Sequence, residues 1–93
     1  MFRCTVEIYG LPQNLVPQNR LEVELEDDAS LKHVVAALKR KVPGLEGPVI
    51  EQGQDRLLDN YAFAVNGQFQ TGESNLPIHP RDKIVLVLLA TGG

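Results

Sequence analysis

Lys83-Ile84-Val85-Leu86-Val87-Leu88-Leu89-Ala90-Thr91-Gly92-Gly93 decides how this chain folds. Strand-forming apolar residues, Ile84 to Ala90, run straight into two glycines. The run is apolar on both parities, which suits a central strand rather than an edge. Lys83 sets the facing. It shares parity with Val85, Val87 and Leu89, and a charge seldom points into a small core. Ile84, Leu86 and Leu88 are therefore expected to face the core. Val85, Val87 and Leu89 are expected on the open face, as an apolar row of the kind that binds a partner. The alternative is a loop lying over the row, such as the one carrying Leu15 and Val16.

The end of the stretch has its own meaning. Glycine has no Cβ and costs the most entropy to order, so Gly92 and Gly93 add little to a fold. They supply reach: a thin thread carrying a carboxylate into a channel that side chains would block. Chain ends are commonly mobile, so a frayed terminus is the plainer reading of the same residues. Either way, residues 90–93 are expected to form a flexible tail.

Working outward, the partners of this strand come into view. Phe2, Cys4, Val6 and Ile8 alternate with Arg3, Thr5, Glu7 and Tyr9, the period of a half-buried strand. Leu21, Val23 and Leu25 alternate with Glu22, Glu24 and Glu26, a second strand with an acidic outer face. Leu31, Val34, Val35, Leu38 and Val42 then form one helical stripe. Ser30 is placed as its N-cap. Lys39, Arg40 and Lys41 stand near the negative end of its dipole, and Pro43-Gly44 ends it. Residues 45–60 are irregular, with Leu45, Val49, Ile50, Leu57 and Leu58 expected to tuck in through a short helical turn or two. Tyr61, Phe63 and Val65 alternate with alanines ahead of Asn66-Gly67, a strong hairpin signal. Gln68 to Thr71 is the expected return strand.

The order strand, strand, helix, strand, short strand, strand is a small α+β pattern. The expected architecture is a mixed sheet of four to five strands packed on one main helix. The last strand lies beside the first and parallel to it, in a β-grasp, ubiquitin-like fold. Residues 1–93 read as a single domain.

Composition narrows the function. The formal net charge is −3, from nine basic and twelve acidic residues, which argues against nucleic acid or an anionic membrane as partner. One cysteine, Cys4, forms no internal disulfide, so a cytoplasmic setting is expected. No apolar stretch approaches membrane-span length.

Four stretches together resemble the MoaD/ThiS family of sulfur carriers. They are Ser30-Leu31-Lys32-His33-Val34-Val35, Ala64-Val65-Asn66-Gly67, Pro80-Arg81-Asp82-Lys83-Ile84-Val85 and the closing Gly92-Gly93. The length and the extra segment at 45–60 are more similar to the MoaD-like members. Where larger carriers often have a proline ahead of the glycines, this chain has Leu88-Leu89-Ala90-Thr91. The resemblance implies a carrier rather than an enzyme. A ubiquitin-activating-type adenylating enzyme would use ATP on the Gly93 carboxylate, with Thr91 and Gly92 as the tail that delivers it. A sulfur donor would then convert it to a thiocarboxylate for cofactor or metabolite biosynthesis, of the molybdopterin type, with a synthase large subunit as a further partner. A ubiquitin-like modifier, joined through Gly93 to lysines of other proteins, begins with the same adenylation. A plain interaction domain with an incidental Gly-Gly is the third reading.

Other candidates are weaker. Cys4 has the parity of Phe2, Val6 and Ile8 and reads as a core cysteine. His33 and His79 are isolated and read as solvated, so no metal site is expected. The Glu22 to Asp28 acidic run lacks the spacing of a calcium loop. No intrinsic cofactor and no catalytic residue is expected.

Overall fold

Phe2–Tyr9 (β1), Arg20–Leu25 (β2), Tyr61–Val65 (β3), Gln68–Gln70 (β4) and Ile84–Leu88 (β5) form one five-stranded sheet in the order β2-β1-β5-β3-β4. This computed structural model describes residues 1–10, 19–70 and 75–89. β5 pairs parallel with β1, Val6 opposite Ile84 and Tyr9 opposite Val87. It pairs antiparallel with β3, Phe63 opposite Leu86 and Ala62 opposite Val87. The last strand is thus the middle of the sheet, as its double apolar parity demands.

Helix Leu31–Lys41 (α1) closes the core on one face. Leu31, Val34, Val35 and Leu38 are fully buried. Ala37 joins them, while Val42 is only partly buried. From the sheet come Cys4, Val6, Ile8, Val23, Leu25, Phe63, Val65, Ile84 and Leu86. Residues 45–60 follow the helix through a 3₁₀ turn, Pro43–Leu45, and bury Leu45, Val49 and Ile50 completely. Leu57 is nearly buried and Leu58 half-buried.

Several polar residues act as ties. His33 is exposed, yet its Nδ1 accepts a 2.9 Å hydrogen bond from the Ser30 backbone N–H. It fills the place that glutamate takes in the usual capping box. Lys39 does more than complement the dipole. Its Nζ lies 2.9 Å from Asp55 Oδ1 and donates to the Gln54 carbonyl at 3.2 Å, holding the irregular segment against the helix. The stretch before β5 is anchored to the helix start, since the Leu31 N–H donates to the Leu76 carbonyl and the Ile78 N–H to the Ala29 carbonyl. Ile78, buried at 1% exposure, was not legible from the pattern of its Pro-flanked loop.

The hairpin forms at Asn66-Gly67, both with positive φ, 52° and 86°. That is the left-handed pair a two-residue turn requires. β4 is described from Gln68 to Gln70, while the expected last residue of the return strand, Thr71, lies outside the described residues. The loop with Leu15 and Val16 also lies outside them.

Candidate functional site

The chain turns its second face to solvent around the end of β5. Val85 and Val87 point away from the helix and are half-buried, while Ile84 and Leu86 are fully buried beneath. The register sets Tyr9 on one side of Val87 and Ala62 on the other. Val85 lies between Glu7 and Ala64, and Phe69 stands opposite Ala64 on β4. Tyr9 is 53% exposed and Phe69 68%. Two alanines thus leave a shallow apolar trough between two aromatic rims, floored by the valines.

Leu89 continues the row at 38% exposure, its N–H donating to the Asn60 carbonyl at 2.8 Å. Leu88 departs from expectation. Its parity points to the core, yet it is 40% exposed. The pairing of β1 with β5 ends at Tyr9 and Val87, and the next residue, Gly10, has no side chain to cover it. Gly10 has φ +87°, and a Cβ there would come within 2.8 Å of the Leu88 Cβ. The bare backbone of Gly10 lets the end of β5 lie close, at the cost of leaving Leu88 open. Tyr9 and Phe69 therefore belong to the patch beside Val85, Val87 and Leu89, while Leu88 is exposed on the opposite, helix side at the end of β5. The hairpin register gave a signal for Phe69, since a two-residue turn at Asn66-Gly67 places it across from Ala64.

Charge borders this face at Glu7, beside Val85, and at Lys83. Glu7 and Lys83 lie 3.9 Å apart at the start of β5, and Arg3 and Glu22 3.5 Å apart farther along the sheet. The approach to β5 is fixed by Asn66 and Asp82. Asn66 Nδ2 donates to Asp82 Oδ1, and its Oδ1 accepts from the Lys83 N–H, both at 2.9 Å. Asp82 Oδ2 accepts from the His79 N–H at 2.7 Å. Partial burial pushes the Asp82 carboxyl up, but the bonds from Asn66 and His79 outweigh it and hold it below its ordinary range. Two of the motifs singled out in the sequence meet here, as the clamp that starts the central strand.

Cys4 is 2% exposed. Burial, with the charge of Asp82 adding, pushes its thiol up. The thiolate that nucleophilic chemistry needs is disfavoured there. Among the described residues, no three His, Cys, Asp or Glu side chains converge as metal ligands. No helix among them is long and apolar enough to cross a membrane. Thr91, Gly92 and Gly93 lie outside the described residues.

The model of the ThiS family matches residues 6–93. No curated protein matches in sequence. Among solved structures, a small archaeal modifier protein, SAMP1 from Haloferax volcanii, superposes with a TM-score of 0.81 at 19% identity, over 98% of this chain and 99% of that one. A Pyrococcus furiosus protein provisionally assigned as molybdopterin converting factor subunit 1 gives 0.67 at 15% identity, over 97% and 100%. A chain of the Amycolatopsis orientalis BexX/CysO complex gives 0.70 at 13%, over 96% and 98%. At these identities the likeness establishes the β-grasp fold.

Proposed function

The chain belongs to the ThiS family, and from that premise we propose that it is a sulfur carrier working through Gly93. A ubiquitin-activating-type enzyme adenylates the Gly93 carboxylate: a carboxylate oxygen attacks the α-phosphate of ATP and pyrophosphate leaves. The outer sulfur of a persulfide donor then displaces AMP to give an acyl disulfide, and a second thiol attacks the donor's sulfur, forming a disulfide on the donor side and releasing the thiocarboxylate. This group donates sulfur in cofactor or metabolite biosynthesis, of the molybdopterin type, in the cytoplasm. The observation that carries the reading is the family match along residues 6–93, Gly92-Gly93 included. The chemistry suits that end. Attack at phosphorus needs an unhindered, oriented carboxylate, and a Cβ at either glycine would narrow the approach. The chain contributes no acid, base or nucleophile of its own, and the work of catalysis falls to its partners.

The apolar trough serves as the docking surface. Val85, Val87 and Leu89 lie on the strand that leads into Thr91 and the glycines, so an enzyme gripping this face also guides the tail. Tyr9 and Phe69 frame the contact. A synthase large subunit would use the same face.

A second reading, a modifier joined through Gly93 to lysines, draws support from the likeness to the Haloferax modifier protein. Mass spectrometry of the protein and its surrounding proteome, taken from the native cell, separates the two. The carrier shows one oxygen replaced by sulfur at Gly93. A Gly-Gly remnant on lysines of other proteins, without that exchange, supports the modifier instead. Neither signal leaves an interaction domain.

A further inference from the structure

β2 is one of the two edges of the sheet. The Ile8 N–H donates to the Asn19 carbonyl at 2.7 Å, which fixes the phase of the β1–β2 ladder. Alternation then aims the backbone of Leu21, Val23 and Leu25 at β1. It leaves the N–H and C=O groups of Arg20, Glu22 and Glu24 pointing outward. None of these has a backbone partner among the described residues.

Beside this edge runs a cleft of about 400 Å³, with Glu22, Val23 and Glu24 on the strand side and Ala37, Arg40 and Lys41 on the helix side. A water takes roughly 30 Å³, so the cleft has room for side chains. It continues along the strand past Leu21 toward Arg20 in one direction and past Leu25 and Ala36 in the other. Val23 and Ala37, both nearly buried, are its apolar lining residues. Its charges are unspent on the helix side, where Arg40 and Lys41 have no ion-pair partner among the described residues. On the strand side Glu22 is paired with Arg3, and Glu24 has no ion-pair partner among the described residues.

We propose that this edge and cleft dock an extended segment of a partner protein, added antiparallel to β2 as a sixth strand. Its side chains alternate. Basic residues lie over Glu24 and Glu22, apolar ones sit in the cleft beside Val23 and Ala37, and acidic ones meet Arg20 and Lys41. The unpaired backbone groups supply affinity and the alternating pockets specificity, as in other strand additions. Across the strands alone, a second copy would set Arg20 of each copy opposite Glu24 of the other, and the Glu22 and helix-end contacts oppose that pairing. A two-fold pairing through Glu22 sets Glu22 against itself and brings the basic helix end of each copy to the other's. The site is separate from the trough around Val87, because it lies at the sheet's edge and on the helix side.

The test uses the full chain and a labelled peptide, Lys-Val-Lys-Val-Glu-Asp, in fluorescence anisotropy at low salt, with backbone NMR shifts to locate the contact. The expected result is saturable binding with shifts at residues 20–25 and 36–41 and none centred on Val87. The charge-reversed peptide Glu-Val-Glu-Val-Lys-Lys should bind about tenfold more weakly, as the loss of three cross-strand charge pairs implies. Glu22→Pro removes an outward N–H without touching the ladder to β1 and should abolish strand addition. If that variant fails to fold in a thermal melt, Lys41→Glu, a surface change, should still weaken binding several-fold. Equal binding of both peptides, indifference to these substitutions, shifts centred on Val87, or no binding would each overturn the proposal. So would a chain that sediments as a dimer and becomes monomeric only in Glu22→Pro.

Discussion

Cys4 is where sulfur chemistry would first be sought, and its surroundings oppose that use. It packs on β1 among Val6, Val23 and the other core residues, with its thiol pushed up by burial. Cys4→Ala removes one small buried group and should cost about 1 kcal/mol. Thiocarboxylate formation should persist, read by intact-protein mass. A folded Cys4→Ala chain that acquires no sulfur would mean the thiol takes part. Asp82 makes a different prediction. Its carboxyl is held low in the folded chain, so its stabilisation is complete above the unfolded value of about 4 and fades as pH falls through the folded one. Asp82→Asn should therefore cost about 1 kcal/mol at pH 6, and the gap to the parent should close toward pH 2. Urea melts at both pH values check it, and a gap that widens in acid would contradict the sign.

β5 ties element to function. Leu86 is fully buried between Ile8 and Phe63, and Val87 lies above on the open face. Val87→Asp should leave the fold largely intact and weaken docking to the activating enzyme. Loss of one valine contact removes about 1.5–3 kcal/mol, and a carboxylate against an apolar surface adds to it. Leu86→Asp should unfold the domain instead. Circular dichroism melts with binding titrations decide, and the opposite pair of outcomes would mean the docking face lies elsewhere. The strand facings at Ile84 to Val87, the helix stripe and the Asn66-Gly67 turn were all legible because each rests on a local period or a required φ. Leu88 was not, because its exposure depends on where the neighbouring strand stops and on a glycine far away in sequence. The ties made by His33 and Lys39 were hidden for the same reason. Their partners are set by how the elements pack, and side-chain type alone read them as solvated or dipole-complementing.

At the scale of the whole molecule, the core, the clamp and the trough are arranged around one strand. β1 and β3 fix β5 from both sides, Asn66 and Asp82 fix its start, and Gly10 admits its end. The overall β-grasp was legible because a doubly apolar last strand has only one comfortable place in such a sheet. The patch was legible in part: Val85, Val87 and Leu89 from parity, with a signal for Phe69 in the register of the Asn66-Gly67 turn, but not the rim Tyr9, which only the assembled sheet brings beside Val87. All of this serves the tail only if the Gly93 carboxylate is the group activated. ATP–pyrophosphate exchange by the cognate activating enzyme, measured with the full chain and with a chain lacking Gly93, tests it most directly. Exchange is expected with the full chain and none with the truncated one, both melting alike. Undiminished exchange by the truncated chain would contradict it.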